Sequence, residues 1–308
     1  MRIAILGATS HIAKDLVLSF SAQGAHTLVL FARRPSAVLQ WLASVNLPDH
    51  YAVFAFDMFN SDQHFDAILN FVGVGNPVAA AAMGASIFDV TLQYDDLALG
   101  YVRQNPACRY IFLSSGAAYG ASFEAPVDAS TRATVPINNL QPQDWYGVAK
   151  LHAECRHRAQ AHLPIVDIRV FNYFSHTQDM EARFLITDIL RAIRDKAVLQ
   201  TSIDYIVRDY IDPLDFCNLV NAILLAPATN AVVDCYSKAP VDKPALLAAM
   251  QETFGLQYKI VKTGAGINVT GGKPHYYSLS RRAAGFGYKP SVSSLGGILR
   301  EMTTFFDQ

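Results

Sequence analysis

The chain carries little charge and no surplus of either sign. Of its 308 residues 17% are Asp, Glu, Lys or Arg, and 25 basic against 26 acidic residues give a net charge of −1. No basic field exists to gather nucleic acid or anionic lipid, so neither is an expected partner, and an anionic ligand must be held by a few placed groups. Cysteine is scarce. Cys108, Cys155, Cys217 and Cys235 are scattered and form no CxxC pair, which argues against a disulfide framework and against zinc, and fits a reducing cytoplasm. No metal is expected. No apolar run reaches the ~20 residues that span a bilayer. The opening IAILGA is too short for the apolar region of a signal peptide, and Lys14 and Asp15 soon interrupt the apolar stretch behind it. Membrane insertion is therefore not expected. Internal repeats and low-complexity linkers are missing as well.

What is present is enough apolar residue, 51%, for a sizeable core in one large domain or two closely joined ones. Short apolar runs alternate with helical spacing. Arg2–Leu6 reads as a buried parallel strand, and Ile12–Ala22 carries apolar residues at helical intervals. Further strands are expected at His26–Phe31, Ala52–Phe56, Ala67–Val72, Arg109–Ser114 and Ile165–Val170. This alternation predicts an α/β fold: a Rossmann-type doubly wound parallel sheet with right-handed crossovers. After about residue 173 the alternation loosens, and the stretch from Gly264 to Pro290 reads as loops around short elements. Residues 1–173 are therefore expected to form a cofactor-binding domain, with a later segment near 205–235 returning to it. Residues 174–308 are expected to form mainly a smaller C-terminal substrate-binding domain.

Gly7-Ala8-Thr9-Ser10-His11-Ile12-Ala13 joins the first strand to the first helix. Such a turn lets the backbone approach a pyrophosphate, while the helix N-terminus offers free N–H groups to the anion. The spacing is that of G-x-x-G-x-x-G, with two of its three glycines replaced by the small residues Ser10 and Ala13. Gly7, Thr9, Ser10, His11 and Ile12 are thus candidate cofactor contacts. An acidic residue about twenty positions further on would bind the ribose 2′-hydroxyl of NAD. That place holds Ala32, followed by Arg33 and Arg34. A guanidinium pairs with a 2′-phosphate through charge-assisted hydrogen bonds, so NADP(H) is favoured and NAD stays open. Asp57 and Met58, after the third strand, are candidates for the adenine border. Phe71, Val72 and Gly73, at the end of the fourth, are candidates for the same cleft.

Tyr146 and Lys150 stand four residues apart at the start of a helical pattern, on one helix face. A nearby ammonium favours the phenolate, so the pair can exchange a proton nearer neutral pH than free tyrosine, whose pKa is ~10. Ser114 and Ser115 end the fifth strand, at the carboxyl edge of a parallel sheet where ligands bind. A serine there can hydrogen-bond the same substrate oxygen. His152, His157 and His162 come next at five-residue intervals that walk around the helix, which does not suit a metal.

With these motifs the chain resembles the extended short-chain dehydrogenase/reductases, the NAD(P)-dependent epimerase/dehydratase family acting on nucleotide sugars. The resemblance covers nearly the whole chain and rests on GATSHIA, SSGAAYG, YGVAK, RVFNYF, RDYIDPLDF and AAGFGYKP. It implies Ser115, Tyr146 and Lys150 as the catalytic set, with Lys150 also binding the nicotinamide ribose. It implies Asn172 and Arg208 as diphosphate contacts, with Ser115, Gly116 and Lys273 as further substrate candidates. The plain alternative for Arg208 is an ion pair with Asp209 or Asp212, and His176 reads as a loop histidine. The resemblance also implies a homodimer through the helix near 76–88 and the one after Tyr146, although core packing explains their apolar faces equally well.

Departures narrow the chemistry. Family 4,6-dehydratases carry an acidic residue in the serine motif; here Gly116, Ala117 and Ala118 offer no acid or base. Enzymes resembling GDP-fucose synthase place a cysteine there for 3,5-epimerisation, where this chain has Ala117. The favoured expectation is an NADPH-dependent reductase of a nucleotide-linked 4-keto-(6-deoxy)hexose, in deoxysugar and lipopolysaccharide precursor synthesis. The alternatives are a C4-epimerase of nucleotide sugars with tightly bound NAD and, from another class, a non-catalytic NADP-binding regulatory protein.

Overall fold

The computed structural model describes residues 1–47, 51–60, 62–74, 80, 82–120, 122–261 and 273–307. Fourteen strands are described: β1 Arg2–Leu6, β2 Thr27–Phe31, β3 Ala52–Phe54, β4 Ala67–Asn70, β5 Arg109–Ser115, β6 Ile165–Val170, β7 Asn172–Tyr173, β8 Val198–Ser202, β9 Val207–Arg208, β10 Tyr210–Ile211, β11 Ala231–Asp234, β12 Val241–Asp242, β13 Gln257–Val261 and β14 His275–Tyr276. The longer helices are α1 His11–Gln23, α2 Pro35–Ser44, α3 Ser86–Gln104, α4 Trp145–Arg158, α5 Leu185–Arg194, α6 Pro213–Leu225, α7 Lys243–Phe254 and α8 Ser294–Phe306.

Seven strands form one parallel sheet in the order β11-β6-β5-β4-β1-β2-β3. This is the expected Rossmann-type α/β fold. Alternate residues of each strand enter opposite cores. Ile3, Ile5, Leu28, Leu30 and Leu69 join one cluster with α1 and α6, while Ala4, Leu6, Val29, Phe31 and Ile68 join the other with α3. Both faces are covered, which is why the strands read as nearly continuous apolar runs. The strand order turns outward in both directions between β1 and β4, and that reversal opens the ligand crevice at the carboxyl ends. A third cluster, including Phe174, Ile189, Leu246, Met250 and Met302, lies under the C-terminal helices.

Several boundaries differ from the sequence reading. The third strand stops at Phe54, and Phe56–Met58 is a 3-10 turn. The fourth stops at Asn70. Its side-chain oxygen accepts the Val72 N–H at 2.9 Å, while its amide donates to Tyr110 Oη at 3.0 Å, so a side chain replaces the next ladder partner. The fifth strand runs one residue further, to Ser115. Residues 76–79 and 81 of the expected helix 76–88, and residues 264–272 of the expected loop region, lie outside the described residues. Among the described residues no helix is long and apolar enough to cross a membrane.

Candidate active site and cofactor cleft

The turn after β1 shows why its first glycine is kept. Gly7 has φ +82°, and a Cβ there would lie 2.9 Å from the Val72 nitrogen. The Gly7 and Ala8 N–H groups both donate to the Phe31 carbonyl, at 2.9 and 3.1 Å. Ser10 caps α1 without a side-chain bond, and the first helical N–H bond runs from Lys14 to the Ser10 carbonyl. The N–H groups of His11, Ile12 and Ala13 thus have no backbone partner among the described residues, as at any helix start. These donors fit a pyrophosphate. Thr9 is exposed, and Ser10, His11 and Ile12 are half-buried.

His11 departs from a plain loop contact. Its Nε2 lies 2.7 Å from Ser175 Oγ, 3.0 Å from Thr177 Oγ1 and 3.3 Å from Asp15. The buried Asp15 also accepts from Tyr173 Oη at 2.8 Å and Thr177 Oγ1 at 2.6 Å. Burial lowers the imidazole's pKa, with Asp15 opposing. This knot ties the turn to the segment after β7, so the His11 ring is engaged by protein and its backbone is left for a ligand.

At the end of β2 Ala32 is buried, while Arg33 and Arg34 are exposed at the start of α2. The Ala32 N–H donates to the Phe54 carbonyl at 3.1 Å, which sets this end beside β3 and the exposed Asp57 and Met58. Phe71 is a core residue, its ring 6.3 Å from that of Phe216. Val72 is half-buried. Gly73 is exposed, and a Cβ on it would stand 3.3 Å from Lys150 Nζ.

Ser115, Tyr146 and Lys150 are brought together. Ser115 ends β5 and its Oγ accepts the Ala117 N–H at 3.1 Å. Lys150 is buried. Its Nζ donates to the Leu113 carbonyl at 2.7 Å and stands 5.9 Å from the centre of the Tyr146 ring. Burial brings this lysine down to about 8, while Asp95, Glu154 and Asp167 act in the opposite direction. Burial raises the Tyr146 phenol, and a hydrogen bond with Ser115 opposes that rise. Two glycines permit close packing around the site. A Cβ on Gly116 would meet the Phe171 ring at 2.4 Å, and one on Gly147 would meet the Ala117 carbonyl oxygen at 2.6 Å. Beneath the site Ser114 donates to Glu154 at 2.5 Å, and Glu154 holds Arg169 through contacts of 2.5–3.1 Å. This pair, a buried Glu154 with a half-buried Arg169, fixes α4 against the ends of β5 and β6.

On the other side of the cleft stand Asn172, Arg208 and Lys273. Asn172 donates to the carbonyls of Asp209 and Tyr276, both at 3.3 Å. Arg208 is buried, and its Nη1 donates to the carbonyls of Lys273 and Val207 at 2.7 and 2.9 Å. Its Nη2 is buried without a partner among the described residues. The alternative of a plain ion pair fails: Asp209 accepts from Ser237 and Ser294, and Asp212 pairs with Arg300. Lys273 Nζ lies 4.9 Å from the Tyr276 ring, and desolvation followed by repulsion from Arg208 lowers its pKa. Two cations held close, one with an orphaned N–H group, suit an anionic ligand. His176 pairs with Glu301 at 2.8 Å. Tyr276 belongs to none of the sequence motifs, yet its hydroxyl lies 3.3 Å from Ser115 Oγ.

Comparison with known proteins agrees with this architecture. A structure of UDP-glucuronic acid 4-epimerase from Bacillus cereus, with UDP-glucuronic acid and NAD, matches with a TM-score of 0.77 at 14% identity, covering 100% of this chain and 99% of that one. dTDP-glucose 4,6-dehydratase from Bacillus anthracis with NAD matches at 0.79 and 14% identity, covering 100% and 97%. UDP-glucose 4-epimerase from Thermotoga maritima matches at 0.80 and 15% identity, covering 100% and 99%. At these identities the likeness is one of fold. A comparison with curated proteins gives no match. The profile of the NAD dependent epimerase/dehydratase family, however, matches residues 3–236, and the chain belongs to that family.

Proposed function

We propose that the chain is an NADPH-dependent reductase of a nucleotide-linked 4-keto-(6-deoxy)hexose. The observation that carries the cofactor choice is the end of β2, where a buried Ala32 stands in place of a carboxylate and two exposed arginines follow. A carboxylate there would repel a 2′-phosphate; guanidinium groups bind it. Residues 1–173, with 205–235, make up the cofactor part, and 174–308 mainly the substrate part. The working form is a cytoplasmic homodimer.

NADPH, when bound, supplies the hydride that reduces C4. The chain does the rest. Arg208 and Lys273 hold the diphosphate, with Asn172 beside them. Ser115 orients the carbonyl oxygen by a hydrogen bond, and Tyr146 gives its proton to the nascent alkoxide. Lys150, as an ammonium, steadies the phenolate left behind. Ala117 and Ala118 leave no acid or base for elimination or for epimerisation beside the carbonyl. C4 epimerisation with retained NAD is the second reading, and the fold likeness to two 4-epimerases supports it. The test is NADPH oxidation by the purified protein with dTDP- and GDP-4-keto-6-deoxyhexoses, followed by analysis of the sugar. Stoichiometric formation of the C4 alcohol, lost in Tyr146→Phe, is expected. Interconversion of two C4 epimers of a UDP-hexose without net NADPH use would overturn the reductase reading.

A further inference from the structure

We infer that Tyr276 is a positioning residue for this reduction: its phenolic O–H donates to Ser115 Oγ and thereby aims the single Ser115 proton at the reacting oxygen. The inference rests on the assignment of Ser115 and Tyr146 to carbonyl reduction made above.

A serine hydroxyl has one proton and two lone pairs. One lone pair of Ser115 is engaged by the Ala117 N–H at 3.1 Å. The Tyr276 hydroxyl lies 3.3 Å away, and either oxygen of that pair can be the donor. If Ser115 donated to Tyr276, it would have no proton left for a substrate carbonyl. If Tyr276 donates, both lone pairs are filled and the serine proton turns to Tyr146 or to the oxygen that Tyr146 serves. A phenol is a stronger acid than an aliphatic hydroxyl, so the second arrangement is favoured. The result is a chain of donors, Tyr276 to Ser115 to the reacting oxygen.

Tyr276 is held for such work. It is buried, on β14, in parallel register with Arg208 of β9. Its ring packs 5.2 Å from Phe171 and 4.8 Å from Phe123. Phe123 is itself a buried non-glycine residue at φ +44°, a conformation that persists only where the surroundings impose it. The Arg208 guanidinium and Lys273 ammonium flank the ring at 5.9 and 4.9 Å. The phenol therefore bridges the two cations proposed for the diphosphate and the serine proposed for the carbonyl.

The experiment compares wild type, Tyr276→Phe, Ser115→Ala and the double variant in NADPH-dependent reduction of the 4-keto sugar, with NADPH affinity as the check on folding. Removal of one neutral hydrogen bond is expected to lower kcat about fivefold to tenfold in Tyr276→Phe, with KM and NADPH affinity within about twofold. Because Tyr276 acts through Ser115, the double variant is expected to be no slower than Ser115→Ala. Tyr276→His, which keeps a ring with an N–H donor, is expected to recover part of the loss. A kcat equal to wild type in Tyr276→Phe, or losses that add in the double variant, would overturn the inference while leaving the reductase reading intact. A wild type that binds NADPH but reduces no 4-keto sugar would overturn both.

Discussion

A single methyl group at Gly147 tests how closely the proposed acid/base helix is fitted to the serine strand. Gly147 lies between Tyr146 and Lys150, inside α4, where alanine is normally better than glycine by about 1 kcal/mol. On propensity alone Gly147→Ala would stabilise the protein. The added Cβ, however, would meet the Ala117 carbonyl oxygen at 2.6 Å, where ordinary contact begins at 3.4 Å. Its neighbour is backbone, held by the 3-10 turn Gly116–Tyr119 that comes after Ser115. No side chain can swing aside, so α4 must retreat by several tenths of an ångström. Overpacking of this kind costs about 1–3 kcal/mol, which outweighs the propensity gain and leaves a net loss of up to about 2 kcal/mol. Misplacement by about 1 Å can cost on the order of a hundredfold in rate. The expected outcome is a lower urea midpoint with unchanged slope, and turnover reduced at least tenfold. A variant more stable than wild type with full turnover would refute the reasoning.

Three further outcomes depend on neighbouring groups. His157 is fully buried between Asp95 and Asp167, at 2.7 and 2.6 Å; burial alone would lower its pKa, but the two carboxylates outweigh it and bring it up to about 9. A raised folded-state pKa gives stability that is full below about 6.5 and lost as pH rises through about 9, on the order of 3 kcal/mol in all; His157→Leu should flatten that decline in urea unfolding. Lys150 brought down to about 8 loses its proton above that pH, so the log of kcat should fall on the alkaline side from about pH 8, and a flat profile to pH 10 would refute the role given to its ammonium. Arg208→Met removes a charged donor worth about 1.5–3 kcal/mol, so KM for the nucleotide sugar should rise about tenfold or more while NADPH affinity is kept; an unchanged KM would place the diphosphate elsewhere.

Much of the fold was legible because its signals are local. Strands buried on both faces read as apolar runs, and Gly7 marks a turn that only a positive φ allows. Ser115, Tyr146 and Lys150 were legible because a strand end and a four-residue helical offset bring them near each other. The features that stayed hidden depend on partners far away in the chain. Nothing in the run AILNFV says that the Asn70 side chain will end β4 by capping Val72. His157 reads as a bland helix residue because Asp95 and Asp167 come from α3 and β6. Tyr276 gives little local signal, since its meaning lies in the pairing of β14 with β9 across a long separation. The one available hint is an aromatic pair, Tyr276 and Tyr277, beside Lys273.

The central claim is that the end of β2 selects NADPH. It is tested most directly by fluorescence titration of the apo protein with NADPH and NADH, in wild type and in Arg33→Ala. Tighter binding of NADPH is expected in wild type, with a preference that collapses in the variant while NADH binding is unchanged. Equal affinities in wild type, or NAD that co-purifies and survives dialysis, would contradict the claim and put the retained-NAD epimerase first.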